Sequence, residues 1–290
     1  MKVGPLRLGT YGLMVWLAFF CAYFLLNADL RRRKLPGDPL NIILLLVVAG
    51  LAGSKLYHLL ERPSEFFADP LRLFFSSYGF AWFGGFLGGL AVLLWLAHHY
   101  RMPTLAFLDA CSPAAALGYA IGRIGCFISG DGDYGIATKL PWGMAFNPLE
   151  GGCRVRRFLC AIHGSLEPSY GANVGGTPLD AIVRVHPTPI YEFVVVALIA
   201  WFLWRRGAQR LRERATPGAI LADYLVLTGV ARFLVEFIRI NPRSAFGVLT
   251  NAQVVSLLSI IAGVVLAVVV RARAAAESSR HRVANQVAKD

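Results

Sequence analysis

The sequence predicts an all-α, polytopic membrane protein with seven transmembrane helices. Its mean hydropathy is +0.55, and 56% of its 290 residues are hydrophobic, above the roughly 45–50% of a soluble domain. Seven apolar stretches reach or approach the ~20 residues that cross ~30 Å of hydrocarbon. Clusters of basic residues follow alternate stretches, which is typical of chains that cross a bilayer repeatedly.

The predicted spans are spread along most of the chain. They cover about residues 10–29, 40–60, 78–98, 104–128, 189–204, 218–238 and 252–270. The first is interpreted as a retained helix, because its apolar run is long, no small-x-small cleavage site follows it and the stronger basic cluster lies after it. The fifth is the shortest of the seven.

The basic residues after the odd-numbered spans predict the orientation. They are Arg31–Lys34, Arg101, Arg205–Arg214 and Arg271–Lys289. By the positive-inside rule these connections are cytoplasmic, so we expect the N-terminus outside and the C-terminus inside. The formal charge of +12 therefore indicates topology and contact with anionic membrane lipids, and no nucleic-acid binding is expected.

We expect one membrane domain over residues 1–270 and a basic cytoplasmic tail over 271–290. Residues 129–188, between the fourth and fifth spans, are too long for a simple connection and contain several aromatic residues, which favours a small folded external cap. The five cysteines have no metal-ligand spacing, so no metal is expected. Cys153 and Cys160 share the cap, where an oxidising compartment would permit a disulfide.

A charged residue followed by a polar loop marks the end of the fourth span. Arg123 lies inside an apolar stretch, and the loop from Ser129 to Gly135 is rich in glycine and aspartate. An arginine deep in a bilayer helix costs roughly 2.5–3.5 kcal/mol on insertion scales, so it is expected to face a polar partner or cavity. Exposed backbone N–H groups beside a guanidinium suit a phosphate better than a metal ion.

The sixth span carries three charged residues on one helical face. Arg232, Glu236 and Arg239 are spaced i, i+4 and i+7, so the pattern places them together in the outer half of the membrane. One interpretation is an ion pair that only satisfies itself. The other is that Arg123 and Arg232 face one anionic headgroup, since arginine recognises phosphate through a planar, permanently charged group.

Two further segments are candidates. Glu192 lies just inside the fifth span after His186, where it needs a partner and could either pair with an arginine or orient the histidine. The glycines between Tyr78 and Gly89 have spacing that allows close helix approach, and Tyr11 has the position of an interfacial anchor.

Taken together, these segments resemble the prolipoprotein diacylglyceryl transferases. The resemblance covers about residues 10–270, in ordered motifs. These are Tyr11-Gly12-Leu13-Met14, Gly84-Gly85-Phe86-Leu87-Gly88, Gly122-Arg123-Ile124-Gly125, His186-Pro187-Thr188-Pro189-Ile190-Tyr191-Glu192 and Arg232-Phe233-Leu234-Val235-Glu236-Phe237-Ile238-Arg239.

The resemblance implies a seven-helix enzyme of the bacterial cytoplasmic (inner) membrane, without a cofactor. It would transfer the diacylglyceryl group of phosphatidylglycerol to the lipobox cysteine of prolipoprotein signal peptides and release glycerol 1-phosphate. Arg123 and Arg232 match the family's catalytic, lipid-binding arginines. The substrate-binding positions implied are Tyr11, Gly84, Gly85, Gly122, Gly125, Gly135, Tyr191, Glu192, Glu236 and Arg239.

The chain departs from the family's pattern where a proton acceptor is expected. Phe83 replaces a histidine that commonly precedes the glycines, Cys126 replaces an asparagine and Thr228 replaces a tyrosine. Phenylalanine cannot accept a proton, and thiolate is the nucleophilic form of a cysteine. The base is therefore Asp131, Asp133 or His186, with the aspartates favoured, or the thiol ionises in the field of the arginines.

Two alternatives stay open at this point. A diverged enzyme of the same fold could use the phosphatidylglycerol site on another acceptor, and a non-catalytic lipid-binding or transport protein belongs to a different class. A transporter favours related halves with paired interrupted helices, which the sequence lacks. A protein that had lost catalysis would be expected to lose the phosphate-binding arginines, whereas Arg123, Arg232 and Arg239 are all present.

Overall fold

The computed structural model of this chain describes residues 2–3, 6–7, 10–69, 74, 81–129, 134–147, 152–153, 183–241 and 248–287, and these residues are mostly helical. The helices are α1 Thr10–Arg33, α2 Pro39–Glu61, α3 Pro63–Ala68, α4 Trp82–His99, α5 Thr104–Ser129, α6 Thr188–Arg212, α7 Ala219–Val235 and α8 Asn251–Val287. The strands are β1 Lys2–Val3, β2 Leu6–Arg7, β3 Met144–Asn147, β4 Gly152–Cys153 and β5 Val183–Val185.

Six of the seven long helices described are long and apolar enough to cross a membrane. They are Tyr11–Arg33, Pro39–Glu61, Trp82–His99, Thr104–Ile128, Thr188–Arg212 and Asn251–Ser279. The chain is therefore a multi-pass membrane protein. The seventh, α7, has 17 residues and is not among these six, so the predicted count of seven spans is not confirmed.

One compact unit is formed by residues Tyr23–Cys111. Within it α2 begins at a regular cap, where the Asp38 carboxylate accepts the N–H of Leu40 at 3.0 Å and Pro39 occupies the first helical turn. Helices α2 and α4 pack closely through glycine. A Cβ on Gly84 would collide with the Gly53 carbonyl, so side chains at these positions would force the helices apart.

The same unit contains a buried group of four charged side chains, here called the Asp29 cluster. Asp29, near the end of α1, is fully buried and pairs with Arg32 and with Arg33, the latter at 3.3 Å. Arg33 also reaches the Asp109 carboxylate at 3.9 Å. The pairs with Asp29 join residues three and four apart on one helix, so local geometry alone brings them together.

The second unit combines Met1–Ala22 with Ser112–Asp290. Its core lies where α5, α6 and α7 meet, and consists of Ala116, Ala120, Val196, Ala200, Leu203 and Ile220. Helices α7 and α8 pack through small residues, since a Cβ on Gly229 would lie 2.9 Å from Ile260 Cγ1 and 3.0 Å from the Ser256 carbonyl oxygen.

Some helix boundaries differ from the predicted spans. α8 continues to Val287, so the predicted basic tail is helical through most of its length, since its three consecutive alanines, Ala274–Ala276, favour helix. Thr216 donates to the Glu277 carboxylate at 3.2 Å and ties this extension to the α6–α7 connection.

The predicted external cap contains a small antiparallel sheet of order β4–β3–β5. Met144 of β3 is opposite Val185 of β5 in its register. Cys160 lies outside the described residues, so whether it pairs with Cys153 stays open.

Candidate active site

A buried stripe of α6 carries the residue at the centre of the site. Glu192, Val196 and Ala200 are buried at four-residue spacing, so the carboxylate continues the same face that builds the apolar core. On α5, Arg123 follows the buried Ala120 of that core by about one turn. The charged side chains therefore lie next to the apolar core formed by α5, α6 and α7.

Glu192 accepts contacts from four side chains. Arg123 Nη2 pairs with its Oε2, and Arg239 Nη1 lies 3.2 Å from the same oxygen. Its Oε1 receives the Tyr119 hydroxyl at 2.8 Å and lies 3.4 Å from Arg232 Nη1. A glutamate predicted to need a partner thus joins both predicted phosphate-binding arginines and a third.

Glu236 is the second carboxylate of the site. Arg232 Nη1 lies 2.9 Å from its Oε2 and Arg239 Nε 3.7 Å from the same atom, while Asn241 donates to Oε1 at 2.6 Å. The prediction that Arg239 shares a helical face with Arg232 is wrong, because α7 ends at Val235 and a turn follows. The turn nevertheless brings Arg239 back to the carboxylates.

We call these five side chains the arginine–glutamate cluster: Arg123, Glu192, Arg232, Glu236 and Arg239. Three guanidinium groups against two carboxylates leave one surplus positive charge among them. Both carboxylates are buried, whereas the arginine side chains are 12%, 26% and 5% exposed in chain order. Arg232 is therefore the member most open to a ligand, and Arg239 is largely committed to the carboxylates.

A short extended segment, residues 135–138, holds the site together from outside the helices, and we call it the strap. The Gly135 N–H donates to the His186 carbonyl and the Ile136 N–H to the Ile238 carbonyl, both at 2.8 Å. Gly135 also forms an isolated antiparallel β-bridge with Arg239. The strap thus fixes the residues before α6 to the turn after α7 and sets the position of Arg239.

Gly135 has no room for a side chain. A Cβ there would lie 2.9 Å from both His186 Cβ and Thr188 Cγ2, which is closer than packing allows. Packing therefore explains this glycine, and its predicted contact with substrate stays a prediction.

Three further polar side chains meet beside the strap. Tyr191 is the residue before Glu192, and its hydroxyl oxygen accepts the Trp142 indole N–H at 2.8 Å. The His186 Nδ1 atom lies 3.2 Å from the same oxygen. Trp142 is 56% exposed, so this group is open at the outer edge of the unit.

The start of α1 lies against α5 close to the predicted phosphate arginine. A Cβ on Gly125 would lie 3.1 Å from Met14 Cβ and 3.3 Å from Tyr11 Cδ2, so the glycine lets the Tyr11 ring approach. A Cβ on Gly122 would meet nothing within 4 Å. Among the described residues no group of three or more His, Cys, Asp or Glu side chains could hold a metal ion.

This chain is similar to known proteins along most of its length. The sequence model of the family described as prolipoprotein diacylglyceryl transferase matches residues 1–269. A phosphatidylglycerol–prolipoprotein diacylglyceryl transferase of Leptospira interrogans is 30% identical over 259 residues, covering 80% of this chain and 71% of the relative. The transferase of the same name from Verminephrobacter eiseniae is 32% identical over 264 residues, 86% of this chain and 82% of the relative. That of Geobacter sulfurreducens is 29% identical over 281 residues and covers 94% of both chains.

The chain belongs to the prolipoprotein diacylglyceryl transferase family. It departs from the family's expected pattern at several positions, and the structure shows what two of these side chains contact. Arg123 Nη1 lies 3.7 Å from Cys126 Sγ, so a thiol stands beside the guanidinium where an amide was expected. Thr228 donates its hydroxyl to the Tyr224 carbonyl at 2.6 Å and is engaged with its own helix.

In this family member Phe83, Gly84 and Gly85 belong to the unit Tyr23–Cys111. The Phe83 ring lies 6.3 Å from the Tyr57 ring and 5.2 Å from that of Trp82. Gly84 and Gly85 both face α2, which gives them a packing role, and their predicted substrate contact is untested. Asp131 and Asp133, the favoured candidate bases, lie outside the described residues.

Sequence reasoning missed three members of the site. Tyr119 stands one turn before Arg123, and its ring lies 5.7 Å from that guanidinium, so helical spacing could have found it. Asn241 and Trp142 gave no periodic signal, because each reaches the site from a turn or a loop. Tyr134, at the start of the strap region, is half-buried, and this burial raises the pKa of its hydroxyl.

Proposed function

We propose that the protein transfers the diacylglyceryl group of phosphatidylglycerol to the thiol of a lipobox cysteine in prolipoprotein signal peptides, releasing glycerol 1-phosphate. Family membership supports the activity, and relatives of this name are about 30% identical over most of the chain. The observation that carries the proposal is the arginine–glutamate cluster, which presents guanidinium groups in a pattern suited to a lipid phosphate.

The charge of the cluster matches that of the proposed lipid. The phosphodiester of phosphatidylglycerol carries one negative charge, and the five side chains carry one surplus positive charge. Arg232 and Arg123 are the more open guanidinium groups, so they bind the phosphate oxygens. Glu192, Glu236 and Arg239 hold them in place.

The reaction forms a sulfur–carbon bond and breaks a carbon–oxygen bond. The cysteine sulfur attacks the glyceryl carbon that bears the phosphate, and the electron pair of the broken bond goes to the phosphate oxygen. The thiol proton balances the new negative charge on the departing phosphate. Fixed positive groups at the phosphate stabilise this growing charge, which is often the largest contribution in a dry site.

We place the site at the outer side of a bacterial inner membrane. All seven long helices cross the bilayer in this proposal, with the N-terminus outside, the C-terminus cytoplasmic and residues 129–188 as a periplasmic cap. The 17 residues of α7 rise about 26 Å, and the turn after Val235 completes the crossing of ~30 Å of hydrocarbon. Lipid then enters laterally, and the precursor's cysteine arrives from the cap side.

The other predicted roles remain part of the proposal. Tyr11 packs against Gly125 of α5, and Gly122 offers open space where a lipid can approach the α5 backbone. The proton acceptor is Asp131, Asp133 or His186.

The decisive test offers purified protein phosphatidylglycerol and a lipobox peptide. Mass spectrometry is expected to find a diacylglyceryl adduct on the cysteine, and none when phosphatidylethanolamine replaces the lipid. Arg232→Gln should slow formation of the adduct about 10²–10³-fold. Arg206→Gln is the matched control, because Arg206 pairs with Asp223 at 2.5 Å in a half-exposed ion pair away from the cluster.

Absence of the adduct, with an established transferase working in parallel, would reject this function. Release of glycerol 1-phosphate with a different thiol acceptor but not with the lipobox peptide would favour a diverged transferase. Lipid binding without any turnover would favour a non-catalytic lipid-binding protein.

A further inference from the structure

The group formed by Trp142, His186 and Tyr191 has no part in the phosphate site described above. It is nevertheless fixed to the same frame, because the strap joins the His186 backbone to the turn that carries Arg239. Its role concerns how the acceptor thiol loses its proton, and it therefore rests on the proposed transferase function.

The hydrogen bonds of this group allow a proton to pass from Tyr191 to His186. The Tyr191 oxygen accepts the Trp142 indole N–H, because an indole N–H can only donate a hydrogen bond. The single hydrogen of the Tyr191 hydroxyl then has His186 Nδ1, at 3.2 Å, as its acceptor among the described residues. In the tautomer that carries its proton on Nε2, His186 presents Nδ1 as the acceptor of that hydrogen. The phenol oxygen keeps one lone pair for a further donor.

The carboxylate oxygens of the site are already engaged by other donors. The Glu192 oxygens take three guanidinium groups and the Tyr119 hydroxyl, and Glu236 takes two guanidinium groups and the Asn241 amide. His186, by contrast, forms no ion pair with any described residue. Its Nδ1 is a basic atom that a proton can reach through the Tyr191 hydroxyl.

We propose that Tyr191 and His186 form a proton relay for the acceptor cysteine. The thiol hydrogen moves to the Tyr191 oxygen while the Tyr191 hydrogen moves to His186 Nδ1. The S–H bond breaks, an N–H bond forms, and the tyrosine is unchanged overall. The Trp142 N–H steadies negative charge on the phenol oxygen during the transfer. The thiolate then displaces the phosphate, which takes up the proton from the imidazolium directly or through water.

The position of the relay suits an acceptor that arrives from outside. Tyr191 and Glu192 are consecutive in the first turns of α6, so a thiol at the phenol lies next to a lipid whose phosphate is held by the arginines. Trp142, at 56% exposure, leaves the approach to Tyr191 open to a peptide. Because Phe83 cannot accept a proton, the relay supplies a base for the reaction within the described residues.

The test compares two acceptor peptides with Tyr191→Phe. One peptide carries the lipobox cysteine, and the other carries selenocysteine, whose selenol is already ionised at neutral pH and needs no base. With the thiol peptide, kcat is expected to fall by about 10²-fold or more, while phosphatidylglycerol binding is unchanged. With the selenol peptide the variant should recover to within a few-fold of the wild-type protein.

His186→Gln is the second variant, because glutamine can still accept the Tyr191 hydrogen bond but cannot take up the proton. It should reproduce the same contrast between peptides, and Trp142→Phe should reproduce a weaker one. Tyr224→Phe is the control: it removes a phenol hydroxyl from α7, outside the relay.

The outcomes separate the relay from the proposed function. If the wild-type protein forms no thioether, both the relay and the proposed function are rejected. Wild-type activity together with full activity of Tyr191→Phe and His186→Gln overturns the relay alone. Equal losses with thiol and selenol peptides also overturn it, because they assign these residues a purely structural role. A loss confined to the thiol peptide supports it.

Discussion

Two buried groups of charged side chains in this protein differ in their net charge. The Asp29 cluster has two arginines and two carboxylates, so its charges balance. The arginine–glutamate cluster has three arginines and two carboxylates. The four side chains of the first therefore sum to no net charge, whereas the five of the second sum to one positive charge.

The way each group is assembled points in the same direction. Asp29 pairs with neighbours on its own helix, which helical spacing alone provides. The second group is gathered from α5, α6, α7 and the turn after it, with the strap fixing the last member. A buried pair often contributes little net stability, so an arrangement this costly to assemble is better explained by anion binding than by folding.

Removing the central carboxylate of each group is expected to give the largest effects. Glu192→Gln and Asp29→Asn each remove the central carboxylate partner of largely buried guanidinium groups, and breaking a buried ion pair in this way costs about 3–5 kcal/mol of folding free energy. Thermal unfolding in detergent measures both. The two variants should differ in rescue, because glycerol 1-phosphate or phosphatidylglycerol restores the lost charge only in the arginine–glutamate cluster.

The measurement that decides is the rise in melting temperature on adding the anion. This rise should be larger for Glu192→Gln than for the wild-type protein. For Asp29→Asn it should be about the same as for the wild-type protein. Equal rises in the two variants would mean that the second cluster has no special affinity for phosphate.

Removing one arginine from each group is expected to separate activity from stability. Arg232→Gln should lower the transfer rate about 10²–10³-fold, since it removes a preformed donor at the phosphate. Its stability should change little, because Arg232 is the most exposed guanidinium of the cluster. Arg33→Gln should lower stability and leave the rate of the folded protein near normal. The opposite pattern would reverse the roles assigned to the two clusters.

The sequence predicted the charged members of the site better than its architecture. Arg123, Glu192 and Arg232 had to find polar partners because each lies in an apolar span, and they find one another. The prediction that Arg239 shares a helical face with Arg232 was wrong, because residue spacing alone cannot locate the end of α7 at Val235. Trp142 was not foreseen, since a loop contact depends on tertiary folding and leaves no periodic pattern.

Tyr119 gives the second cluster a neutral member that the Asp29 cluster lacks among its described contacts. Tyr119→Phe removes a hydroxyl that donates to Glu192 but keeps the ring beneath Arg123. A hydrogen bond to a charged group contributes about 1.5–3 kcal/mol, so binding of phosphatidylglycerol should weaken roughly tenfold or somewhat more as Glu192 loses its fixed orientation. Equilibrium lipid binding measures it. An unchanged binding constant would mean that the three arginines alone orient the carboxylate.

The smallest expected effect tests whether the strap supports the second cluster. Gly135→Ala puts a methyl group against His186 and Thr188, and overpacking of this kind costs about 1–3 kcal/mol. Because the strap carries both Arg239 and His186, lipid binding and turnover should fall together. Gly122→Ala is the control for stability, since a methyl group there meets nothing within 4 Å and alanine favours the helix. If Gly135→Ala lowered stability but spared both lipid binding and turnover, the strap would serve folding alone, and the cluster would owe its geometry to α5, α6 and α7.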